Sequence, residues 1–128
     1  MAKLNGIYKC NICGNVVSVI EAGKGELVCC GQPMELLEAH KIEDEGKEKH
    51  VPIIEISGKK VTVKISSVPH PMEDSHYIEL VQLIRDGNVV IGKRLSPGDE
   101  PKAEFMLEDI EGLKARILCN IHGLWISE

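Results

Sequence analysis

Four of the five cysteines lie within the first 30 residues, in two closely spaced pairs. Cys10 and Cys13 are separated by two residues and are followed by Gly14, which permits a tight turn. This spacing is typical of a knuckle that directs two thiolates toward one metal ion. The chain therefore offers the first half of a four-thiolate site close to its start.

The second pair, Cys29 and Cys30, follows at an interval that is usual for two-knuckle metal sites, but its members are adjacent. Neighbouring side chains of an extended chain point to opposite sides, so binding one ion requires a bent backbone, which Gly31 and Pro33 favour. A tetrahedral set of four thiolates suits zinc and iron about equally. The alternative is four buried or redox-active thiols. We disfavour it because so short a segment has no other source of stability.

Histidines supply most of a second candidate site. Cys119 and His122 are three positions apart at the end of a strand pattern, where a loop can aim both side chains at one point. His70 and His76 flank a turn segment, and His50 begins another strand pattern after a charged segment. Histidine nitrogens and a thiolate are common metal ligands, so the clustering of these residue types at strand ends predicts a metal site.

The number of donors indicates the chemistry of this second site. Four neutral imidazoles and one thiolate exceed the four ligands of a structural zinc site and leave one octahedral position free. A nitrogen-rich set with one thiolate suits iron, and the thiolate would favour turnover of an oxygen species. The net positive charge of such a centre would attract a small anion even in an acidic protein. The fifth histidine, His40, is interpreted as a solvated side chain.

Two other chemistries are disfavoured. Cys119 and His122 could form a thiol nucleophile and its base, but no oxyanion hole or orienting carboxylate can be identified in the sequence. A c-type haem site requires a Cys-x-x-Cys-His motif, whereas Cys13 is followed by Gly14.

Composition excludes several classes of protein. The 128 residues carry a net charge of −5, with 15 basic residues interspersed among 20 acidic ones, which disfavours binding to nucleic acid. No segment approaches the roughly 18 consecutive apolar residues of a membrane span, and the first residues lack the apolar core of a signal peptide. The odd number of cysteines disfavours a disulfide framework. We therefore expect a cytoplasmic protein without a membrane or nucleic-acid partner.

The chain divides into two predicted domains, residues 1–37 and 38–128. The first has short extended runs between glycines and too little apolar surface for a core, so the cysteines and a metal are expected to stabilise it. In the second, apolar and polar residues alternate with a period of two, as in 61–66, 103–108 and 113–118, and turn signals recur about every ten residues. Six or seven short strands without helical periodicity predict an antiparallel sandwich of immunoglobulin-like type.

Five segments, in order and spanning nearly the whole chain, resemble the desulfoferrodoxin family, the two-iron type of superoxide reductase. They are Tyr8-Lys9-Cys10-x-x-Cys13-Gly14, Cys29-Cys30-Gly31, Glu48-Lys49-His50-Val51-Pro52, His70-Pro71-Met72-x-x-x-His76-Tyr77 and Cys119-Asn-x-His122-Gly123-x-Trp125. The resemblance implies an all-β protein. A small desulforedoxin-like iron-binding domain would precede an immunoglobulin-like β-sandwich that carries the catalytic iron.

The resemblance also implies two iron ions per chain and a role for each donor. An Fe(Cys)4 centre with distorted tetrahedral geometry would be bound by Cys10, Cys13, Cys29 and Cys30. The Fe(His)4Cys centre would have an open sixth position, an axial Cys119 and four equatorial imidazoles, those of His50, His70, His76 and His122. Lys49 would steer the anion and organise the water that delivers a proton, and Glu48 would take the sixth position after product release. The alternative for Glu48 and Lys49 is a place in the solvated, charged linker.

The activity implied by the resemblance is one-electron reduction of superoxide to hydrogen peroxide without production of oxygen. It further implies a homodimer in the cytosol of an anaerobe or microaerophile. There it would serve detoxification during oxidative stress, with rubredoxin or a similar small protein as electron donor. Two alternatives from other classes stay open. A non-enzymatic two-iron electron carrier predicts a closed second site that binds no added anion, and a zinc-stapled interaction module predicts a colourless protein.

Overall fold

The computed structural model describes residues 2–40, 51–65 and 70–127. These residues form twelve β-strands and no helix, so no helix among them could cross a membrane. Contacts between residues divide the chain into two units, Met1–Glu38 and Ala39–Glu128. The predicted all-β class, with a small cysteine-rich part followed by a β-sandwich, is confirmed.

The first unit contains five short strands. They are β1 (Ile7–Lys9), β2 (Val16–Ser18), β3 (Val28–Cys29), β4 (Gln32–Pro33) and β5 (Glu35–Leu36). One antiparallel sheet has the order β2-β1-β5, and β3 and β4 form a separate hairpin. The buried hydrophobic residues of this unit are few: Ile7, Tyr8, Cys10 and Val19. So small an apolar core cannot by itself offset the conformational entropy of ordering the unit.

The described residues of the second unit form seven strands. They are β6 (Ile53–Ser57), β7 (Lys60–Lys64), β8 (Ile78–Arg85), β9 (Asn88–Arg94), β10 (Lys102–Met106), β11 (Lys114–Cys119) and β12 (Gly123–Ile126). They form two antiparallel sheets, with the orders β10-β7-β6 and β12-β11-β8-β9. The strand count expected from the sequence is confirmed, although β12 had not been identified separately.

Buried apolar residues alternate with exposed charged residues along the strands, which explains why the two sheets pack face to face. On β7, Val61 and Val63 are fully buried, whereas Lys60 and Lys64 are exposed and form ion pairs with glutamates of neighbouring strands. Residues from both sheets join one core cluster, to which β11 contributes Ala115, Ile117 and Cys119. Cys119 therefore belongs to the buried face of its sheet and lies at the end of the sandwich core.

Candidate metal centres

The first candidate centre consists of Cys10, Cys13, Cys29 and Cys30. Its first pair lies directly after β1, where the backbone turns tightly: the Gly14 amide donates to the Cys10 carbonyl at 2.9 Å. The Cys13 amide lies 3.5 Å from the Cys10 sulfur and can donate to it. The knuckle expected from the spacing is thus formed by local hydrogen bonds, with Cys10 buried and Cys13 exposed.

The second pair converges because Cys29 ends β3 and Cys30 begins the two-residue hairpin turn that leads to β4. Cys29 pairs with Gln32 across this turn, and Cys30 and Gly31 both have positive φ, 54° and 78°. Positive φ at both central residues is the requirement of a type I′ turn. The left-handed conformation costs a residue with a side chain roughly 1–2 kcal/mol, and at Cys30 it turns the sulfur to the same side as that of Cys29. The predicted bend is confirmed, and Pro33 lies beyond it in β4.

The distances between sulfur atoms fit one tetrahedral ion. Four thiolates about 2.3 Å from a common ion lie about 3.8 Å apart. The Cys13 and Cys29 sulfurs are 3.6 Å apart, and those of Cys29 and Cys30 are 3.9 Å apart. All four sulfurs lie within 4.8 Å of one another. The four donors are therefore arranged as a tetrahedral metal site requires.

The pKa values of Cys10, Cys29 and Cys30 are shifted in different directions. Hydrogen bonds from the backbone amides of Cys13 and Ile12 lower the pKa of Cys10 to about 6. Hydrogen bonding to the neighbouring thiols, that of Cys13 first, raises the pKa of Cys30 to about 12, and the pKa of Cys29 is also raised. Four thiols this close cannot all ionise without a cation, which is the electrostatic condition for a metal-thiolate site.

The second candidate centre, among the described residues, consists of His70, His76, Cys119 and His122. They come from three places on the second unit: the end of β11, the turn between β11 and β12, and the segment that leads into β8. Their ligand atoms all lie within 4.8 Å of one another. Donors about 2.1 Å from an octahedral ion lie about 3.0 Å apart when adjacent and about 4.2 Å apart when opposite, so this cluster has the size of a metal site.

A β-bulge brings Cys119 and the start of β8 together. Leu118 pairs with Leu80 but Cys119 pairs with Ile78, so Glu79 has no opposite residue on β11. The extra residue lets both Ile78 and Val81 face the core although they are three positions apart. Because of this change in register, the segment that carries His76 lies next to the end of β11, beside the Cys119 sulfur.

The turn that follows Cys119 places His122. Cys119 pairs with Gly123 across three loop residues, and Gly123 has a φ of 82°, as the residue after such a loop commonly does. The His122 amide lies 3.5 Å from the Cys119 sulfur and can donate to it, and His122 Nδ1 lies 3.8 Å from the same sulfur. His122 therefore presents Nδ1 to the centre.

The other two imidazoles can each supply one ring nitrogen to a cation. His70 Nδ1 lies 2.7 Å from the Pro71 carbonyl, which can only accept, so Nδ1 carries the proton. Its Nε2 then has a lone pair and lies 3.4 Å from the Cys119 sulfur. His76 Nε2 is buried without a hydrogen-bond partner among the described residues. A buried ring nitrogen without a partner is costly unless a metal satisfies it, so the donor set fits a metal ion.

Cys119 is fully buried in this cluster. Burial raises the pKa of its thiol above the ordinary value, and the amides of His122 and Ile121 oppose that rise. A nearby cation would stabilise the thiolate, so metal binding and loss of the thiol proton are coupled. The centre nevertheless reaches the surface, because His122 is exposed and Ile121 beside it is 59% exposed.

Three residues that the sequence associated with the second centre lie outside the described residues. They are His50, Glu48 and Lys49. His40 is described, and its side chain is exposed as expected. Its ring also lies against that of Trp125, with centroids 4.7 Å apart, and it is not one of the clustered ligands.

The sequence did not single out the residues that hold these ligands. The Trp125 indole donates to the His122 carbonyl at 3.1 Å and stabilises the turn between β11 and β12. Asn120 bonds to the segment that carries His76. In the sequence, Asn120 lies between the ligands Cys119 and His122, and Trp125 follows them. This proximity could have drawn attention to both residues, but spacing alone does not indicate which backbone groups they contact.

Two family models match the chain. The model of the desulfoferrodoxin N-terminal domain matches residues 2–37, and the desulfoferrodoxin model matches residues 42–128. The expected cofactors, one iron bound by four thiolates and one by imidazoles and a thiolate, are confirmed by these matches together with the two donor sets.

Individual proteins are similar over most or all of the chain. A "Desulfoferrodoxin homolog" from Archaeoglobus fulgidus is 58% identical over 127 residues, which cover 99% of each protein. A "Superoxide reductase" from Thermococcus kodakarensis is 37% identical over 98 residues, covering 63% of this chain and 85% of the relative. The crystal structure of the superoxide reductase from Treponema pallidum superposes with a TM-score of 0.76 at 26% identity, covering all of both chains. With both of its parts matched by the family's models, the chain belongs to the desulfoferrodoxin family.

Proposed function

We propose that this protein is an oxidoreductase, a superoxide reductase that converts superoxide to hydrogen peroxide without producing oxygen. Each turnover consumes one superoxide, one electron from a donor protein and two protons, and yields one hydrogen peroxide. The observation that carries the proposal is the convergence of a buried thiol with three imidazoles at a point that reaches the surface. Similarity to proteins named superoxide reductase supports it.

The second centre has a donor set suited to this reaction. Iron bound there would supply the electron for superoxide and a positive charge that attracts it. Cys119 would hold the ion from the buried side, while His70, His76, His122 and, as a proposed further ligand, His50 would surround it. Five protein donors would leave the iron able to bind the substrate as a further ligand. The exposure of His122 supports access from solvent, which a closed electron carrier would not need.

Two further residues are proposed to act on the substrate side. Lys49 would attract the anion and orient the water that delivers a proton. Glu48 would be a further ligand of the iron when no substrate is bound. Their place in the motif around His50 supports both roles.

The decisive experiment measures products. Superoxide is generated in anaerobic solution with the protein and a reduced rubredoxin, and hydrogen peroxide and oxygen are quantified. A reductase yields one hydrogen peroxide per superoxide and no oxygen, whereas dismutation yields half as much peroxide together with oxygen. An electron carrier would not accelerate superoxide loss, and a zinc module would be colourless. Either result would contradict the proposal.

Lys49→Ala tests electrostatic steering. We expect a slower second-order reaction with superoxide and a weaker dependence of that rate on ionic strength, because a fixed positive charge is removed. Lys59→Ala is the control: it removes the same charge from an exposed lysine that is ion-paired with Glu108. Stopped-flow or pulse-radiolysis rates across a salt series measure the effect. Identical salt dependence in Lys49→Ala and the unmodified protein would reject the steering role.

The wider setting is also part of the proposal. Residues 1–37 would form the domain of the Fe(Cys)4 centre and residues 38–128 the catalytic domain. A small rubredoxin-type protein in the cytoplasm would donate electrons. A homodimer is supported by apolar side chains that the first unit leaves exposed, among them Ile20 at 90% and Val28 at 58%. Sedimentation analysis would test it, with a monomer at micromolar concentration as the contradicting result.

A further inference from the structure

The side chain of Asn120 connects two segments that carry ligands of the second centre. Its Oδ1 accepts from the Tyr77 amide at 2.9 Å, and its Nδ2 donates to the Ser75 carbonyl at 3.1 Å. An amide N–H can only donate and a carbonyl can only accept, so the orientation of the Asn120 amide group is determined by its partners. The Asn120 backbone amide also donates to the Tyr77 carbonyl at 3.1 Å.

These three hydrogen bonds bracket His76. Ser75 precedes it and Tyr77 follows it, so the backbone is held on both sides of the imidazole. Together the three bonds form what we call the Asn120 clamp. Because Asn120 directly follows Cys119, this clamp sets the separation between the His76 ring and the Cys119 sulfur.

His76 depends on this clamp more than His70 does. The His70 ring is oriented by its own hydrogen bond to the Pro71 carbonyl. His76 Nε2 has no hydrogen-bond partner among the described residues, and the ring lies beside two other imidazoles, with centroids 4.7 Å from that of His70 and 4.9 Å from that of His122. Its place is determined by its backbone, which a turn with Glu73 and the bonds from Asn120 hold.

We propose that Asn120 is a positioning residue of the second centre, which holds His76 at the distance from Cys119 that iron requires before the metal binds. The consequence for catalysis rests on the proposed superoxide reductase activity, but the consequence for iron binding does not. Ligand positions that are set in advance reduce the ordering cost of binding, and removal of such outer partners typically lowers metal affinity 10- to 100-fold.

Two substitutions separate positioning from electrostatics. Asn120→Ala removes both side-chain bonds. Asn120→Asp has nearly the same shape and keeps the acceptor for the Tyr77 amide, but it replaces the donor to Ser75 by an oxygen. It also adds a negative charge beside the centre, and that charge alone would strengthen binding of ferrous iron. Positioning therefore predicts weaker binding by the aspartate variant, and electrostatics predicts stronger binding.

The readout is the affinity of the full chain for ferrous iron, measured by anaerobic competition with a chelator. Each centre is followed by its own visible absorption after oxidation. We expect the second centre of Asn120→Ala to lose about 10- to 100-fold in affinity and that of Asn120→Asp to lose less, with a shifted absorption band in both. The first centre, in the same chain, serves as the internal reference and should keep its affinity.

Asn88→Ala is the matched control. Asn88 begins β9 opposite Arg85, at the end of β8 far from the centre, so Asn88→Ala makes the same change of residue type away from the centre. If Asn88→Ala lowered the affinity of the second centre as much as Asn120→Ala does, the effect would be general destabilisation and the proposal would be wrong. Affinities within about twofold of the unmodified protein, or tighter binding by Asn120→Asp, would also overturn it. An unmodified protein that binds two irons but does not reduce superoxide would contradict the proposed function alone.

Discussion

Cys119→Ser is expected to abolish superoxide reduction, lowering the second-order rate constant by more than about 100-fold, since loss of an outer ligand partner already costs 10- to 100-fold. Cys119 is the sole thiol of the second centre among the described residues, and it is fully buried at the end of β11. A serine hydroxyl does not ionise at neutral pH, so the substituted centre lacks the anionic donor. The visible absorption of that centre should disappear together with the activity.

The rate is measured by pulse radiolysis, and the spectrum by stepwise oxidation with ferricyanide. Cys13→Ser is the spectral control, because it should remove the absorption of the first centre and leave that of the second. Urea unfolding monitored by the single tryptophan, Trp125, reports whether the second unit of the Cys119 variant is still folded. A folded variant that reduced superoxide at a near-native rate would refute the role of the thiolate.

Removal of iron from the first centre is expected to unfold the first unit while the second unit stays folded. The first unit has only Ile7, Tyr8 and Val19 in its core besides Cys10, and its longest strands have three residues. Structural zinc supplies an apparent 10–16 kcal/mol to comparably small zinc-finger peptides, far more than such a core can contribute. The second unit has its own two-sheet core, so we expect it to stay folded without the iron of the first centre.

Hydrogen exchange with mass spectrometry resolves the two units. After removal of iron from the first centre by a chelator, amides of β1 and β2 should exchange as in an unfolded chain, and amides of β8 and β11 should stay protected. Cys30→Ser provides the same test without chelator, and restoring iron to the unmodified protein should restore protection. Persistent protection of β1 without metal would show that the unit folds on hydrophobic contacts alone.

Local sequence was sufficient for each half of the first centre, because each pair of cysteines is held by its own local turn. Cys10 and Cys13 are brought together by one turn, and the need for a bend at Cys29 and Cys30 follows from the alternation of side chains along an extended chain. Which residues form the bend was less evident from the sequence. It is a hairpin turn in which Cys30 itself adopts a positive φ of 54° together with Gly31, whereas the sequence had indicated Gly31 and Pro33.

Alternation of apolar and polar residues also predicted the sandwich, since a strand with one buried face must repeat every two residues. That pattern placed β7, β10 and β11 within a residue or two of their observed bounds. The pattern did not identify β12 as a strand, because β12 begins within the motif that runs from Cys119 to Trp125. Nor could it show the bulge opposite Cys119, because a bulge is a property of the pairing of two strands and not of either strand alone.

The sequence by itself determined which atoms can bind metal: four thiols near the start, and histidines with one further cysteine in the remainder of the chain. Residue types set donor chemistry, and close spacing sets local turns, so both could be deduced without coordinates. The tertiary structure decided how His76 and Cys119, 43 positions apart, come to share one centre. That meeting depends on the register of β8 against β11, on the bulge and on the bonds of Asn120, all of which arise only when distant segments pair.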